Sequence, residues 1–192
     1  MITRSDNLLN RDNQQERLLI KGGLPMSKVP EKVGYYLAGF ADGEGSFNIS
    51  FRPRPDYQIP WKVSLCFNIA QKDRVILSLF KRYLECGTIR MRPDGVWYYE
   101  VNNFNAIWEK VIPFFKKYRF LSAKKKKDFS KFCKIARMVK ENLHLTEDGI
   151  RKILEIRREM NEGGKRKYEE ILRRLKESSE TIRQIPKQSE MI

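Results

Sequence analysis

Two carboxylates and three glycines crowd the end of an apolar segment in Tyr36-Leu37-Ala38-Gly39-Phe40-Ala41-Asp42-Gly43-Glu44-Gly45-Ser46. Leu37 to Ala41 are small or apolar and predict a tightly packed helix, and the region from Gly43 to Gly45 predicts its stop. An acid at a helix C-terminus faces carbonyl oxygens that lack an intrahelical partner. Their partial negative charge disfavours an anion until a cation arrives. A carboxylate with free carbonyl oxygens is the donor set that Mg²⁺ or Ca²⁺ prefers. A plain acidic glycine turn with two solvated side chains is the competing reading of the same residues.

A second chemical feature is the run Lys124-Lys125-Lys126-Lys127, which precedes an apolar-periodic helix from Phe129. Such a cluster can contact phosphate or stabilise negative charge in a transition state. His144 is the one histidine of the chain, which removes histidine-based nucleases, zinc fingers and Ser-His-Asp hydrolases. Cys66, Cys86 and Cys133 are odd in number and far apart, so they read as reduced core residues and not as a zinc site.

The elements that must position these groups follow from periodicity. Pro30 to Asp42 predicts the first helix. From Ser46 to Arg52, Phe47, Ile49 and Phe51 alternate with Asn48, Ser50 and Arg52; from Lys62 to Asn68, Val63, Leu65 and Phe67 alternate with Lys62, Ser64, Cys66 and Asn68. Both are strands with one buried side, joined through a rigid loop at Pro53, Pro55 and Pro60. Asp73 is an N-cap for a helix that Gly87 stops. A second hairpin turns at Pro93-Asp94-Gly95 between 88–92 and 96–101, with Arg90 and Arg92 sharing a face. Helices follow over 105–118, bent at Pro113, over 122–142, and from Thr146 to Gly163-Gly164. A last amphipathic helix carries Tyr168, Ile171, Leu172 and Leu175. This is an α+β chain with an antiparallel sheet.

The 192 residues, 41% of them apolar, suffice for one domain with a core. A formal charge of +15 calls for a polyanionic partner, nucleic acid before an anionic membrane. No run reaches the roughly 20 apolar residues of a spanning helix. A twisted two-stranded ribbon fits the DNA major groove, where alternate side chains reach successive base edges. Asn48, Ser50, Arg52, Arg54, Lys62, Ser64, Asn68, Arg90 and Arg92 are the residues placed for that task. Any antiparallel sheet has a polar face, but Asp56 is the only acid between Ser46 and Lys72, where a merely solvated face would mix signs.

Leu37 to Gly45, reading LAGFADGEG, resembles the nine-residue motif of the LAGLIDADG homing endonucleases, with departures at Phe40, Ala41, Gly43 and Glu44. The resemblance extends over about Pro30 to Asn142. It implies an αββαββα fold with a saddle-shaped antiparallel sheet, carrying extra C-terminal helices, in a single domain over 27–177; the polar composition outside it predicts a flexible extension (1–26) and a flexible tail (178–192). The resemblance implies that motif helices pair face to face through Leu37, Ala38, Gly39, Ala41 and Asp42. Asp42 has a second role open to it, capping the backbone of the paired helix. Glu44 and the Gly43 carbonyl become metal ligands, with Mg²⁺ as cofactor and Ca²⁺ binding without cleavage. Gln71 becomes the holder of a water nucleophile. Lys125 becomes the active-site lysine, with Lys124 and Lys126 as alternatives.

The implied function is site-specific hydrolysis of both strands of double-stranded DNA in intron homing. Because the motif occurs once, a homodimer on a nearly palindromic site is expected. An intron RNA maturase and a non-cleaving DNA-binding regulator are the alternatives on the same scaffold, so intron RNA is a further candidate partner; no membrane is. Retention of an acid at Glu44 favours the nuclease. An organelle or a bacterial cytoplasm is the expected compartment.

Overall fold

An apolar face without side-chain capping opens the described residues: helix α1, Glu31–Glu44, follows Pro30 and buries Gly34, Leu37, Ala38 and Ala41. The computed structural model describes residues 29–54 and 61–160, with 169, 171 and 173 beyond them. The expected extension (1–26), the tail (178–192), Pro55 and Pro60 of the proline loop, and Tyr168, Leu172 and Leu175 lie outside the described residues. Ile171 is helical and buried.

Helix α1 runs two residues beyond its expected end and takes in Gly43 and Glu44. It stops at Gly45, which is extended and not left-handed, with φ −73° and ψ 147°. A Cβ at Gly45 would lie 2.6 Å from the Ala41 carbonyl oxygen, so the abrupt change from helix to strand needs glycine there.

Strands β1 (Gly45–Pro53) and β2 (Trp61–Gln71) pair antiparallel from Gly45 opposite Ile69 to Pro53 opposite Trp61. Phe47 and Ile49 of β1 and Val63, Leu65, Phe67 and Ile69 of β2 enter the core, so the expected alternation is the one observed. Helix α2 (Arg74–Leu84) opens with the Asp73 carboxylate accepting from the Val75 amide at 2.8 Å. Its end differs from expectation: Glu85, at φ 53°, makes the left-handed cap. Gly87, two residues on, is itself left-handed at φ 80°, and a Cβ there would lie 2.7 Å from the Tyr99 ring. Strands β3 (Thr88–Met91) and β4 (Trp97–Val101) form the second hairpin. Sheet order is β1-β2-β4-β3, all neighbours antiparallel.

The helical run beyond β4 has three parts, α3 (Phe104–Ala106), a π turn (Ile107–Val111) and α4 (Ile112–Lys117). The wide turn lies just before Pro113, where the Ile112 amide reaches back to the Ile107 carbonyl. Proline lacks an amide proton and its ring presses on the carbonyl four residues back. The π turn absorbs that fault in place of a full break. Helix α5 (Ala123–Lys140), a 3₁₀ turn (Leu143–Leu145) and α6 (Glu147–Arg158) complete the described architecture, with Ser122 and Thr146 as N-caps. His144 sits in that turn between helices, where burial pushes its pKa down.

One face of the sheet carries the core. Phe47 lies 5.1 Å from Phe67, 5.7 Å from Phe115 and 4.9 Å from Phe132 between ring centroids, which ties β1 to β2, α4 and α5. Aromatic pairs contribute about 0.5–1.5 kcal/mol each beyond their buried area. This packing holds the C-terminus of α1, the start of β1 and the N-terminus of α5 together.

Candidate active site and nucleic-acid interface

Asp42 locks the last turn of α1 to the loop that starts α5. Its Oδ2 accepts from the Leu121 amide at 3.0 Å and the Ser122 amide at 2.9 Å, and its Oδ1 accepts from the Ser122 hydroxyl. The same hydroxyl accepts from the Lys125 amide at 3.2 Å, capping α5. Burial alone would raise the Asp42 pKa, but the Ser122 hydroxyl, the two amides and the Lys125 charge hold it below the usual aspartate value. The capping role open to Asp42 is thus exerted on the start of this chain's own α5.

Lys125 is the one inward member of the lysine run: it is half-buried, whereas Lys124, Lys126 and Lys127 are exposed. Its ammonium donates to the Gly45 carbonyl, one residue beyond Glu44. Burial lowers its pKa, while Asp128, Asp42 and Glu44 pull in the opposite direction. Glu44 is the last residue of α1, and its side chain is exposed. Gln71 ends β2 two positions past the Gly45–Ile69 pair, at the same end of the sheet. Its Oε1 accepts from the Lys72 amide at 2.9 Å, which leaves its amide nitrogen as donor.

Glu44, the α1 C-terminus, Lys125 and Gln71 are therefore gathered at one corner. Oxygen donors there suit a hard divalent cation: an exposed carboxylate and the carbonyls of a helix end. Among the described residues no group of three His, Cys, Asp or Glu side chains stands ready to hold a metal.

The faces of α1 differ from the interface expectation. Leu37, Ala38 and Ala41 are 0%, 1% and 0% exposed, so their side chains fill this chain's own core and are not free to meet another helix. The outward face carries Lys32, Tyr36, Gly39 and Gly43. A Cβ at Gly34 would run into the Tyr118 ring, but at Gly39 or Gly43 it would meet nothing within 4 Å. The fold of one chain explains Gly34 and Gly45, and it leaves Gly39 and Gly43 unexplained.

Across the sheet from the core, Ser46 pairs with Asn68, Asn48 with Cys66, Ser50 with Ser64 and Arg52 with Lys62. The structure places Asn48, Ser50, Arg52, Lys62, Ser64 and Asn68 on one polar face, with Arg54 following β1. Arg90 of β3 joins them opposite Tyr98, and Arg92 stands in the adjoining turn, 3.7 Å from Asp94. Cys66 belongs to this face and not to the core, as its alternation with Leu65 and Phe67 required. Its thiol is free, and burial foremost, with Glu100 nearby, raises its pKa. Glu100 of β4 also belongs to this face, which the alternation of β1 and β2 alone does not reveal. Because Tyr99 and Val101 are buried, Tyr98 and Glu100 must point to the polar side.

Comparison with known proteins agrees with this geometry. The profile described as LAGLIDADG endonuclease matches residues 37–136. A protein of Neurospora crassa named "Probable intron-encoded endonuclease 2" is 33% identical over 132 residues, covering 67% of this chain. This chain spans only 29% of that relative's length. The crystal structure of a homing endonuclease, I-TnaI, superposes with a TM-score of 0.69 at 29% identity, covering 80% of this chain and 99% of that one. I-SmaMI bound to uncleaved DNA target in the presence of calcium ions gives a TM-score of 0.67 at 26% identity, over 70% of this chain and 47% of that one.

Proposed function

The chain belongs to the LAGLIDADG endonuclease family, and on that premise we propose that two copies of it pair through α1 and cut both strands of a specific DNA duplex with divalent metal ions. The observation that carries this reading is the corner where the exposed Glu44 carboxylate, the Lys125 ammonium and the open Gly39–Gly43 face of the same helix meet. Small residues on a helix face let a second backbone approach closely. A two-fold pairing of α1 helices would then bring two Glu44 carboxylates to one place. The share of I-SmaMI matched, 47% of that chain, supports a pair of copies doing the work of one longer chain.

Glu44 and the Gly43 carbonyl would hold the cation, Mg²⁺ in this proposal. When bound, such an ion activates water and neutralises charge on the attacked phosphate. The Gln71 amide donates to and orients a water at the strand end. The Lys125 ammonium, drawn inward by the Gly45 carbonyl and steadied through Ser122 by Asp42, stabilises charge on a phosphate oxygen. The polar sheet face lies along the duplex, and its alternating side chains reach base edges in the major groove. Among the described residues no helix is long and apolar enough to cross a membrane. The name of the Neurospora crassa relative supports intron homing as the purpose of the cut.

The test is cleavage of a duplex carrying the intron-insertion site, with Mg²⁺ and with Ca²⁺, by the wild-type chain and by Glu44→Gln. The reading predicts cutting with Mg²⁺, binding without cutting with Ca²⁺, and loss of cutting with retained binding for the variant. Tight binding of intron RNA with no cutting under any metal would replace it with a maturase.

A further inference from the structure

Glu100 is an acid in the middle of a face whose other charged side chains on β1 and β2 are cations. A lone carboxylate pointing at a phosphate backbone would weaken binding, yet this one is engaged on both oxygens. Its Oε2 accepts from Arg90 Nη2 at 2.9 Å, and its Oε1 lies 3.8 Å from the Cys66 thiol, which in turn accepts from Asn68 Nδ2 at 3.6 Å. The Arg90 guanidinium carbon also stands 5.3 Å from the centre of the Tyr98 ring. The guanidinium is thus held at its edge by Glu100 and on its face by Tyr98.

The two partners differ in access. The Arg90 side chain is 63% exposed and that of Glu100 is 20% exposed, so the acid sits beneath and the guanidinium above. A guanidinium carries five donors in a planar fork, and a carboxylate taking one side leaves other donors turned outward. A fork fixed in one plane meets the O6 and N7 of guanine as a pair, whereas an unfixed one reaches any phosphate. Arg92 has no such support: its Asp94 partner is 3.7 Å away in an exposed turn.

We propose that Glu100 is a positioning residue that makes Arg90 a reader of guanine at one base pair in each half of the target. This rests on the sheet face being the DNA-binding surface, and the experiment separates the two claims. The full chain is used to select duplexes from a library randomised across the site, and base preference at every position is compared for wild type, Glu100→Gln and Arg90→Lys.

The wild type should select guanine at a symmetry-related pair of positions. Arg90→Lys should lose that guanine, and Glu100→Gln should weaken it about tenfold. Both should keep preferences elsewhere, and melting curves should match the wild type. A merely structural role would lower affinity across all positions alike, which would overturn the proposal. So would an unchanged profile for Glu100→Gln, or a change at a position that Arg90→Lys leaves intact, because Glu100 would then read its own base. A wild type that selects no duplex would instead overturn the DNA-binding reading beneath it.

Discussion

At the scale of single residues, the two acids of the motif stand in different surroundings. Asp42 spends its oxygens on Leu121 and Ser122, while Glu44, two residues later, remains exposed. Asp42→Ala should therefore lower thermal stability by about 1 kcal/mol, the cost of losing a helix cap. The effect depends on pH with a definite sign. The folded-state pKa lies below the usual value, so the stabilisation is full above that value and is lost as pH falls through the folded pKa. Melting curves of wild type and variant should differ most near neutral pH and converge in strong acid. Lys125→Met should reduce the cleavage rate by roughly 10²- to 10³-fold, the usual loss for a charge-stabilising donor, with duplex binding changed far less. Single-turnover cleavage rates beside equilibrium binding would check it. The place of Glu44 at the helix end and the inward turn of Lys125 follow from the motif and from the register of the lysine run onto Phe129. The Asp42–Ser122 clamp does not, because it joins residues 80 positions apart and depends on tertiary placement.

At the scale of elements, α1 has a core face and an open face, and their glycines should respond differently to substitution. Gly34→Ala drives a methyl group into Tyr118, whose hydroxyl donates to the Val29 carbonyl at 3.2 Å within the core. Overpacking of this kind costs about 1–3 kcal/mol, so the melting temperature should fall. Gly39→Leu meets open space within one chain. The monomer should stay folded, as its circular dichroism would show, but the population of dimers in sedimentation should collapse and cutting with it. Strand alternation and the N-cap at Asp73 were readable in the sequence, because period-two patterning and capping chemistry are local. Side-chain allocation on α1 was less so: small and apolar residues at 37, 38 and 41 suit an interhelix contact and a buried core equally, and only packing against the sheet decides. The end of α2 followed the same logic. Glycine at 87 reads as a stop signal and is indeed left-handed, pressed against Tyr99, but the cap itself falls two residues earlier on left-handed Glu85.

At the scale of the whole molecule, a charge of +15 and a four-stranded sheet with one polar face describe a surface made for a polyanion. Each phosphate neutralised releases counterions, so binding that uses about six phosphate contacts should weaken by roughly 10³-fold between low and moderate salt. Titrations of one duplex at several salt concentrations would measure the slope. In the function proposed above, catalysis belongs to a pair of chains and to neither one alone. The most direct measurement of this is made on wild type and Glu44→Gln refolded together in varying proportion at constant total protein, with the initial rate of double-strand cutting as the readout. A shared centre predicts a rate that falls as the square of the wild-type fraction and vanishes for the variant alone. A rate that falls in simple proportion, or a variant that cuts, would contradict it.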